Sequence, residues 1–256
     1  MALSVKSPIS IVSYNARGFR SGKAFITELL LDCDVLCLQE HWLLDEHLSD
    51  LNVCDDFIVT GVSGMDSESY ICGRPFGGCA IFFHKSLSSK VSVCQVSSRR
   101  FCAIHIKLDC QTLLLVCVYL PYDNGLLSGH LDFQETLGEL EGFLDAQDFD
   151  SLAIVGDFNV DFCRTDRRHT SELLHFMNSN SLVAKDLDFD GIQFTYESDD
   201  GTHRSWVDHV LVSPCLLPRI CEITVVSSGA NLSDHRPICV MLDCAQTHPH
   251  ASVPPV

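Results

Sequence analysis

An acid and an imidazole stand side by side near the end of the chain, at Asp234 and His235. A carboxylate beside an imidazole can transfer protons, stabilise charge or bind a metal ion. The apolar segment Ile238–Leu242 follows and is predicted to be a strand. The pair therefore lies at a loop–strand junction, where rigid backbone can aim both side chains at a substrate. The alternative is a solvated turn, so the pair gains weight only from residues elsewhere.

Two earlier strands are predicted to end in polar residues. Asn15 follows the β-rich run 9–14, and Glu40 comes two residues after the continuously apolar run 35–38. Asn15 also suits an ordinary turn, and Glu40 could simply cap the turn after its strand. An acid held at the exit of a buried strand is, however, well placed as a ligand for a hard metal ion.

The sharpest local signal is the motif formed by residues 156–159, Gly-Asp-Phe-Asn, which ends the short apolar run 152–155. Alternate residues of a strand point to the same side. Asp157 and Asn159 therefore present a carboxylate and an amide together at a strand exit.

Two further polar side chains belong to predicted strands. Tyr119 ends the strand predicted over 112–119, and its hydroxyl can serve either a hydrogen bond in the core or a phosphate. Asp208 is a charge inside the otherwise apolar run 205–213. A buried acid needs a partner, and an imidazole is a natural one.

Positive charge is scarce and gathers mainly in one place. The densest basic cluster follows the Asp157 motif and comprises Arg164, Arg167, Arg168 and His169. A solvated loop and a contact with the phosphate backbone are both open for this cluster. Lys85 follows the strand predicted over 77–83, where a solvated edge is the default and a phosphate contact is the minority interpretation.

Composition limits the function classes. The chain has 256 residues and a formal net charge of −17, so any contact with nucleic acid must be local or made through a metal ion. No apolar run is long enough to span a membrane and no export signal opens the chain, so we expect a soluble, intracellular protein. The 14 cysteines stand singly, without a Cys-x-x-Cys pair, which predicts that most are small buried hydrophobic residues.

The remaining pattern predicts one domain over residues 1–244 and a disordered tail or the start of a linker over 245–256. A polar, irregular region at 45–76 surrounds a short strand at 57–60. Helices are predicted at 23–31, 131–144 and 171–180. Consecutive antiparallel strands are predicted at 91–96, 101–108 and 112–119.

Strand ends on one edge of a sheet converge, so the polar residues at these ends can share one cleft. They are Asn15, Glu40, Tyr119, Asp157, Asn159, Asp208, Asp234 and His235. We expect Glu40, with Asn15 and Asp234, to hold Mg²⁺. Asp208 would orient His235. Asp157 with Asn159 would position or deprotonate water, while Tyr119 and Asn159 would donate to the phosphate. The predicted reaction is hydrolysis of a phosphate ester.

The same motifs, in this order over residues 9 to 243, resemble those of a known enzyme superfamily. They are Asn15, Gln39-Glu40, Tyr119-x-Pro121, Gly156-Asp157-Phe158-Asn159, Thr195-Tyr196, Asp208 and Ser233-Asp234-His235. The chain resembles the endonuclease/exonuclease/phosphatase superfamily, which includes apurinic/apyrimidinic endonucleases and deoxyribonuclease I. The resemblance implies an α/β four-layer sandwich, with two mixed β-sheets packed face to face and helices outside. We also expect substrate contacts by Thr195, Arg164, Arg167 and Lys85.

Three segments are most similar to the apurinic-like endonuclease domain of non-LTR retrotransposons: residues 15–18, 34–42 and 77–81. That resemblance implies a Mg²⁺-dependent endonuclease, with Mn²⁺ as a substitute, that nicks target DNA to leave a 3′-hydroxyl for reverse transcription. It further implies a reverse transcriptase domain in the same polyprotein, a nuclear site of action and a monomeric isolated domain. His209 and Tyr196 depart from the residues common in the family, which affects substrate contacts rather than chemistry.

Two other functions compete with this one. A phosphatase of a small or lipid phosphate would use the same catalytic residues, but it would be favoured by large insertions, and the loops here are short. A binding module derived from such an enzyme would be expected to lose catalytic residues, and all of the expected ones are present.

Overall fold

The computed structural model of the protein describes residues 8–66, 75–109, 111–188, 191 and 194–244. The predicted tail, 245–256, lies outside the described residues. In chain order, the strands are β1 Ile9–Asn15, β2 Val35–Gln39, β3 Phe57–Val62, β4 Cys79–His84, β5 Val91–Val93, β6 Phe101–Leu108, β7 Gln111–Tyr119, β8 Ser151–Asp157, β9 Val183–Ala184, β10 Tyr196–Glu197, β11 Arg204–Ser205, β12 Asp208–Val212, β13 Ile220–Val225 and β14 Ile238–Leu242. The helices are α1 Phe19–Asp32, α2 Leu127–Asp145 and α3 Arg168–Ser179.

Twelve of these strands form two six-stranded mixed sheets. The first has the order β13-β14-β1-β2-β4-β3, and the second has the order β5-β6-β7-β8-β12-β9. Each sheet contains one parallel pair, β1 with β2 and β7 with β8, and its other neighbours are antiparallel. The two remaining strands, β10 and β11, form a small hairpin.

The sheets pack face to face and are covered by helices on their outer faces. The core between them is apolar, with residues such as Val35 and Ile81 from the first sheet and Leu115 and Val155 from the second. A second apolar core lies between the outer face of the second sheet and helices α2 and α3. A third lies between the outer face of the first sheet and α1. The predicted α/β four-layer sandwich is therefore confirmed. These apolar layers stabilise the fold, since burying one large aliphatic side chain contributes about 1.5–3 kcal/mol to the free energy of folding.

The helices bury the faces that the sequence predicts. Phe25, Ile26, Leu29 and Leu30 lie on the inner face of α1, as their spacing indicates. The helix begins earlier than the predicted residue 23, directly after the left-handed Gly18, whose φ is 109°. None of the described helices is long and apolar enough to cross a lipid bilayer.

Three segments differ from the predicted elements. The strand expected over 205–213 is split, because Arg204–Ser205 pairs in the hairpin and only Asp208–Val212 joins the second sheet. Asp208 is thus the first residue of β12 rather than a charge in its interior. α3 begins at Arg168, so Arg168 and His169 lie in a helix rather than in a loop. β13 was not predicted at all, because it is a half-exposed edge strand with little apolar continuity.

The described cysteines form no disulfide. Six of the twelve are buried, including Cys37 and Cys117 between the sheets, so the prediction of buried hydrophobic residues holds for half of them. Cys163, Cys215 and Cys221 are exposed.

Candidate active site

Strand pairing brings the predicted residues to one edge of the sandwich. Asn15 pairs with Gln39 at the ends of the parallel strands β1 and β2. Tyr119 pairs with Asp157 at the ends of β7 and β8, and Asp157 also pairs with Asp208 at the start of β12. A side chain at Gly156 would collide with the carbonyl oxygen of Val118, so β8 can approach β7 this closely only with glycine there.

His235 is held between two buried carboxylates. Its Nδ1 lies 2.8 Å from Oδ2 of Asp208, and its Nε2 lies 3.9 Å from Oδ2 of Asp157. Both aspartates are almost completely buried. The predicted pairing of Asp208 with His235 is therefore present as a hydrogen bond between an acid and an imidazole.

The carboxylates shift the titration of the imidazole. Burial alone would lower the pKa of His235, but Asp208 and Asp157 outweigh burial and raise that pKa to about 10. Burial also raises the pKa of Asp157 to about 7, against the lowering effect of the His235 cation. At neutral pH the site therefore holds an imidazolium beside a carboxyl group that readily exchanges its proton.

Asp157 is the centre of a network of amide donors. Its Oδ1 accepts from the backbone N–H of Asn159 at 2.8 Å, and its Oδ2 accepts from Nδ2 of Asn15 at 2.9 Å. Nδ2 of Asn159 donates to the carbonyl of Leu120 at 2.9 Å and lies 3.4 Å from Asp157. In this structure both amide hydrogens of Asn159 thus have acceptors within the protein. The predicted donation from Asn159 to a phosphate stays a prediction.

Glu40 stands at the end of β2 in a left-handed conformation with φ 52°. Its Oε1 accepts from Nδ2 of Asn15 at 3.3 Å, and its Oε2 accepts from Nε1 of Trp42 at 2.7 Å. These bonds fix the carboxylate, and each oxygen keeps a further lone pair. A non-glycine residue in this backbone region is uncommon, and such strain is often found at functional sites.

Tyr119 lies half-buried beside these acids. Burial and the charges of Glu40 and Asp157 raise the pKa of its hydroxyl far above the ordinary value, so the group stays protonated and can donate a hydrogen bond. Its predicted role as a donor to phosphate stays a prediction.

Asp234 is paired with an arginine that the sequence did not single out. Nη1 of Arg17 lies 3.3 Å from Oδ2 of Asp234, and the same guanidinium binds both carboxylate oxygens of Asp199 at 2.6 and 3.0 Å. Arg17 therefore links the end of β1 to the β10–β11 hairpin and to the loop that carries His235. Tyr196, at the start of that hairpin, packs edge-on against His235 with ring centroids 5.2 Å apart.

These side chains line one open cleft of about 610 Å³. Of the predicted site residues it contains Glu40, Tyr119, Asp157, Asn159, Arg164, Arg167, Asp234 and His235. Asn15 and Asp208 lie beneath it, each bonded to a residue of its lining. The structure thus brings ten of the twelve predicted site residues together.

Lys85 and Thr195 do not line the cleft. Lys85 follows the last residue of β4, whereas Cys79, at the other end of that strand, pairs with Gln39 at the site. Thr195 is fully buried, and its Oγ1 accepts from the backbone N–H groups of Val207 and Asp208, both at 3.1 Å. The substrate contacts by Lys85 and Thr195 stay predictions, and in this structure the hydroxyl of Thr195 is bonded to the backbone of Asp208.

The basic cluster is also divided by the structure. Arg164 and Arg167 are exposed and line the cleft, whereas His169 is buried against the ring of Phe133 with centroids 4.0 Å apart. Burial lowers the pKa of His169, so at neutral pH it adds no positive charge. Of the arginines that line the cleft, Arg164 and Arg167 are exposed, whereas Arg17 is paired with Asp199 and Asp234.

A family model for the endonuclease/exonuclease/phosphatase family matches residues 12–235, which include all of the cleft residues described above. The chain belongs to the endonuclease/exonuclease/phosphatase family. Enzymes of the kinds named in it hydrolyse phosphate esters, which agrees with the chemistry of the cleft. No curated protein matches the chain.

Solved structures share the fold of this family member. AP endonuclease LMAP from Leishmania major superposes with a TM-score of 0.75 and 15% identity, covering 93% of this chain and 88% of that one. The catalytic domain of APE2 from Xenopus laevis gives 0.71 and 18%, covering 92% of both chains. The 3′ phosphatase NExo from Neisseria, solved with a product DNA hairpin, gives 0.67 and 17%, covering 92% and 99%. At these identities the likeness establishes the fold.

The donor chemistry separates two groups of acids in the cleft. Among the described residues, one trio of candidate metal ligands, Asp157, Asp208 and His235, has its atoms within 4.8 Å of one another. The proton on Nδ1 of His235 forms the hydrogen bond to Asp208. This trio is therefore better suited to proton transfer than to binding a cation. Glu40 and Asp234 supply carboxylate oxygens to the cleft, which are the ligands that Mg²⁺ prefers. Asn15 instead turns its amide nitrogen toward Glu40 and Asp157.

A second buried Asp–His pair, formed by Asp186 and His209, lies next to the site, because His209 follows Asp208 in β12. His209 donates to Asp186 at 2.8 Å and lies 2.8 Å from the carbonyl of Val160. Asp186 also accepts from Trp206 and from the backbone of Val210, both at 2.7 Å. His209 is thus a structural residue, and no local pattern revealed its bond to Asp186, which stands 23 residues earlier in the chain.

Proposed function

We propose that the protein is a DNA endonuclease that uses Mg²⁺, with Mn²⁺ as a substitute, and that nicks one strand to leave a 3′-hydroxyl. The observation that carries this proposal is the imidazole of His235, hydrogen-bonded to Asp208 and facing Asp157, in one cleft with the carboxylate of Glu40. General acid–base groups beside an oxygen-rich metal position are what hydrolysis of a phosphodiester requires.

The residues divide the work as follows in this proposal. Glu40 and Asp234 would hold the metal ion, which when bound polarises a phosphoryl oxygen and neutralises charge on the departing alkoxide. Asp157, whose pKa is about 7, accepts the proton of the attacking water. His235, cationic and fixed by Asp208, stabilises the charge that builds on the phosphate. Tyr119 donates a further hydrogen bond to the same phosphate.

DNA is the proposed substrate because the cleft is open and its wall carries Arg164 and Arg167. Two guanidinium groups can contact phosphates on either side of the scissile bond. With a net charge of −17 for the whole chain, this binding should be weak and strongly dependent on salt. The 3′ phosphatase NExo from Neisseria, which shares this fold, was solved with a product DNA hairpin.

The proposed setting is target-primed reverse transcription by a non-LTR retrotransposon. The motifs at residues 15–18, 34–42 and 77–81 support it by their similarity to the endonuclease domains of such elements. The nick would then be made in the nucleus, and a reverse transcriptase domain of the same polyprotein would extend the 3′-hydroxyl. The isolated domain is expected to act as a monomer.

The test is cleavage of supercoiled plasmid by the purified chain with Mg²⁺ or with EDTA. The wild type should convert the plasmid to open circles only with Mg²⁺, and His235→Ala should not. His175→Ala is the matched control, because His175 is exposed on α3 outside the cleft. If a folded wild type leaves the plasmid supercoiled, small phosphate monoesters and 3′-phosphorylated oligonucleotides become the substrates to assay, and their hydrolysis would establish the phosphatase alternative.

A further inference from the structure

The loop that carries His235 is weakly anchored by apolar packing. Residues 226–234, which follow the end of β13 at Val225, all lie in the described part of the chain, and none of them is buried. Leu232 keeps 72% of its surface accessible. Because a loop with few buried apolar contacts opens easily, hydrogen bonds must decide where this loop places His235.

Asn231 makes the central contacts within this loop. Its Oδ1 accepts from the backbone N–H of Ser233 at 2.9 Å, and its Nδ2 donates to the carbonyl of His235 at 2.7 Å. The first partner is a donor and the second is an acceptor, so only one orientation of the amide satisfies both. The side chain of Asn231 therefore bridges the backbone on the two sides of Asp234.

The same amide is tied to the first sheet by Tyr14. The hydroxyl of Tyr14 donates to Oδ1 of Asn231 at 2.7 Å, although the two residues stand 217 positions apart in the chain. The side chain of Tyr14 is buried, and its ring packs edge-on against Phe25 of α1 with centroids 5.3 Å apart. A hydroxyl on a ring fixed in this way is a rigid anchor, so β1 sets the position of Asn231.

β1 thereby supports the active site from both of its faces. Successive side chains of a strand point to opposite faces. Asn15 donates to Asp157 at 2.9 Å on one face, and Tyr14 reaches the loop of His235 from the other. The imidazole lies 2.8 Å from Asp208 and 3.9 Å from Asp157, so a shift of its backbone changes both distances. Misplacement of a catalytic group by about 1 Å can lower a rate about 10²-fold.

We propose that Asn231, anchored by Tyr14, is a positioning residue that fixes the imidazole of His235 between its two carboxylates. This inference rests on the proposed function and names two further residues that the site requires. Neither of them lines the cleft, so neither is expected to touch the substrate. Their loss should therefore lower kcat for nicking and leave KM almost unchanged.

The first test measures kcat and KM for folded variants. Asn231→Ala should lower kcat by about 10- to 100-fold. Tyr14→Phe keeps the buried ring and removes only the hydroxyl, so we expect a loss of about 2- to 10-fold, as for one hydrogen bond. Asn52→Ala is the matched control and should behave like the wild type, because the Asn52 amide also donates to a main-chain carbonyl, that of Ser49, but outside the cleft. A rise in KM with unchanged kcat would overturn the positioning role.

A second background separates positioning from a general effect on the fold. In His235→Gln, which lacks the imidazole, Asn231→Ala should lower the residual nicking rate no further. A purely structural defect does not depend on the imidazole of His235. Equal losses from Asn231→Ala in the two backgrounds would therefore refute the proposal.

A measurement without catalysis separates this inference from the proposed function. In EDTA and without DNA, the proton NMR signal of Nδ1–H of His235, assigned by its loss in His235→Gln, reports the hydrogen bond to Asp208. The signal should shift or broaden in Asn231→Ala and Tyr14→Phe but not in Asn52→Ala. If these responses appear and the wild type nicks no plasmid, the positioning role stands and the proposed endonuclease is refuted. A signal that is unchanged in both variants of a wild type that nicks would overturn the positioning role alone.

Discussion

Nδ1 of His235 lies 2.8 Å from Oδ2 of Asp208, while Nε2 on the opposite side of the ring lies 3.9 Å from Oδ2 of Asp157. The imidazole is thus hydrogen-bonded on one side and faces the cleft and a second carboxylate on the other. This asymmetry fixes the ring and assigns different tasks to two aspartates that neighbour each other across β8 and β12. Asp208 orients and stabilises, and Asp157 remains free to take a proton.

Asp208 and His235 should behave as one unit in catalysis. Asp208→Asn and His235→Gln are each expected to lower the nicking rate about 10²- to 10⁴-fold, the range for general acid–base groups. Asp208→Asn removes the carboxylate that orients the imidazolium, and His235→Gln removes the imidazolium itself. Because both changes abolish the same function, the double variant should lose little more than either single variant. The measurement is a double-mutant cycle on nicking rates with Mg²⁺, and strictly additive losses would contradict the coupling.

The stability contributed by His235 should depend on pH in a defined direction. Its pKa rises from 6.5 to about 10 on folding, so the folded state binds the proton more tightly than the unfolded state. The contribution is fully present below pH 6.5 and is lost as the pH rises through about 10.

Urea unfolding in EDTA measures this dependence. The difference in unfolding free energy between the wild type and His235→Gln should shrink by up to about 1.4 kcal/mol per pH unit across that window. His175→Gln, at an exposed position on α3, is the control for removing a histidine outside the cleft. A wild-type advantage that grows with pH would show that the imidazole is neutral in the fold.

Much of the site could be predicted because it depends on where strands end. Asn15 ends β1 and Glu40 follows β2, and these parallel strands end at one edge. Tyr119 and Asp157 likewise end the parallel strands β7 and β8. Lys85 lies apart from these residues because β4 runs antiparallel to β2, which puts the residue after β4 at the opposite edge of the sheet. Strand direction is a property of the whole topology, and no local pattern around Lys85 reveals it.

Burial was the second property that local patterns could not supply. Thr195 and His169 are polar and lie in polar stretches, yet one is fully buried and the other is packed on Phe133. Their partners, Asp208 and Phe133, are distant in the chain. Arg17 was missed for the same reason, since its partners Asp199 and Asp234 come nearly the whole chain later.

Thr195→Val should impair the enzyme by displacing Asp208. The change keeps the shape of the side chain but leaves the N–H groups of Val207 and Asp208 without the hydroxyl acceptor. Each unsatisfied buried donor costs about 1–3 kcal/mol, so the free energy of unfolding should fall by at least that amount. The nicking rate should fall while DNA affinity changes little. Thr195→Ser should restore the nicking rate and the free energy of unfolding. Loss of DNA binding alone would return Thr195 to a substrate contact.

Asp186→Ala should be among the most destabilising changes in the chain. It would leave His209, Trp206 and the backbone of Val210 without their shared acceptor in the core. Removing one partner of a buried ion pair typically costs about 3–5 kcal/mol, which urea unfolding would resolve.

The matched control for that change is Asp188→Ala in the same turn. Asp188 is exposed and pairs with Lys185 among the described residues, so its removal should alter the free energy of unfolding by less than about 1 kcal/mol. Equal effects of the two changes would mean that the tie between Asp186 and His209 does not stabilise β12.

Glu40→Gln should abolish metal binding at the cleft, and Trp42 provides a readout that does not depend on activity. Nε1 of Trp42 donates to Oε2 of Glu40 at 2.7 Å, so a cation that binds this carboxylate changes the environment of the indole. Titration of the wild type with Mg²⁺ or Mn²⁺ should therefore change the tryptophan fluorescence with saturation. Glu40→Gln should not respond, and Glu46→Gln, an exposed acid a few residues on, should respond like the wild type. A saturating response that survives in Glu40→Gln would move the metal ion to the trio of Asp157, Asp208 and His235.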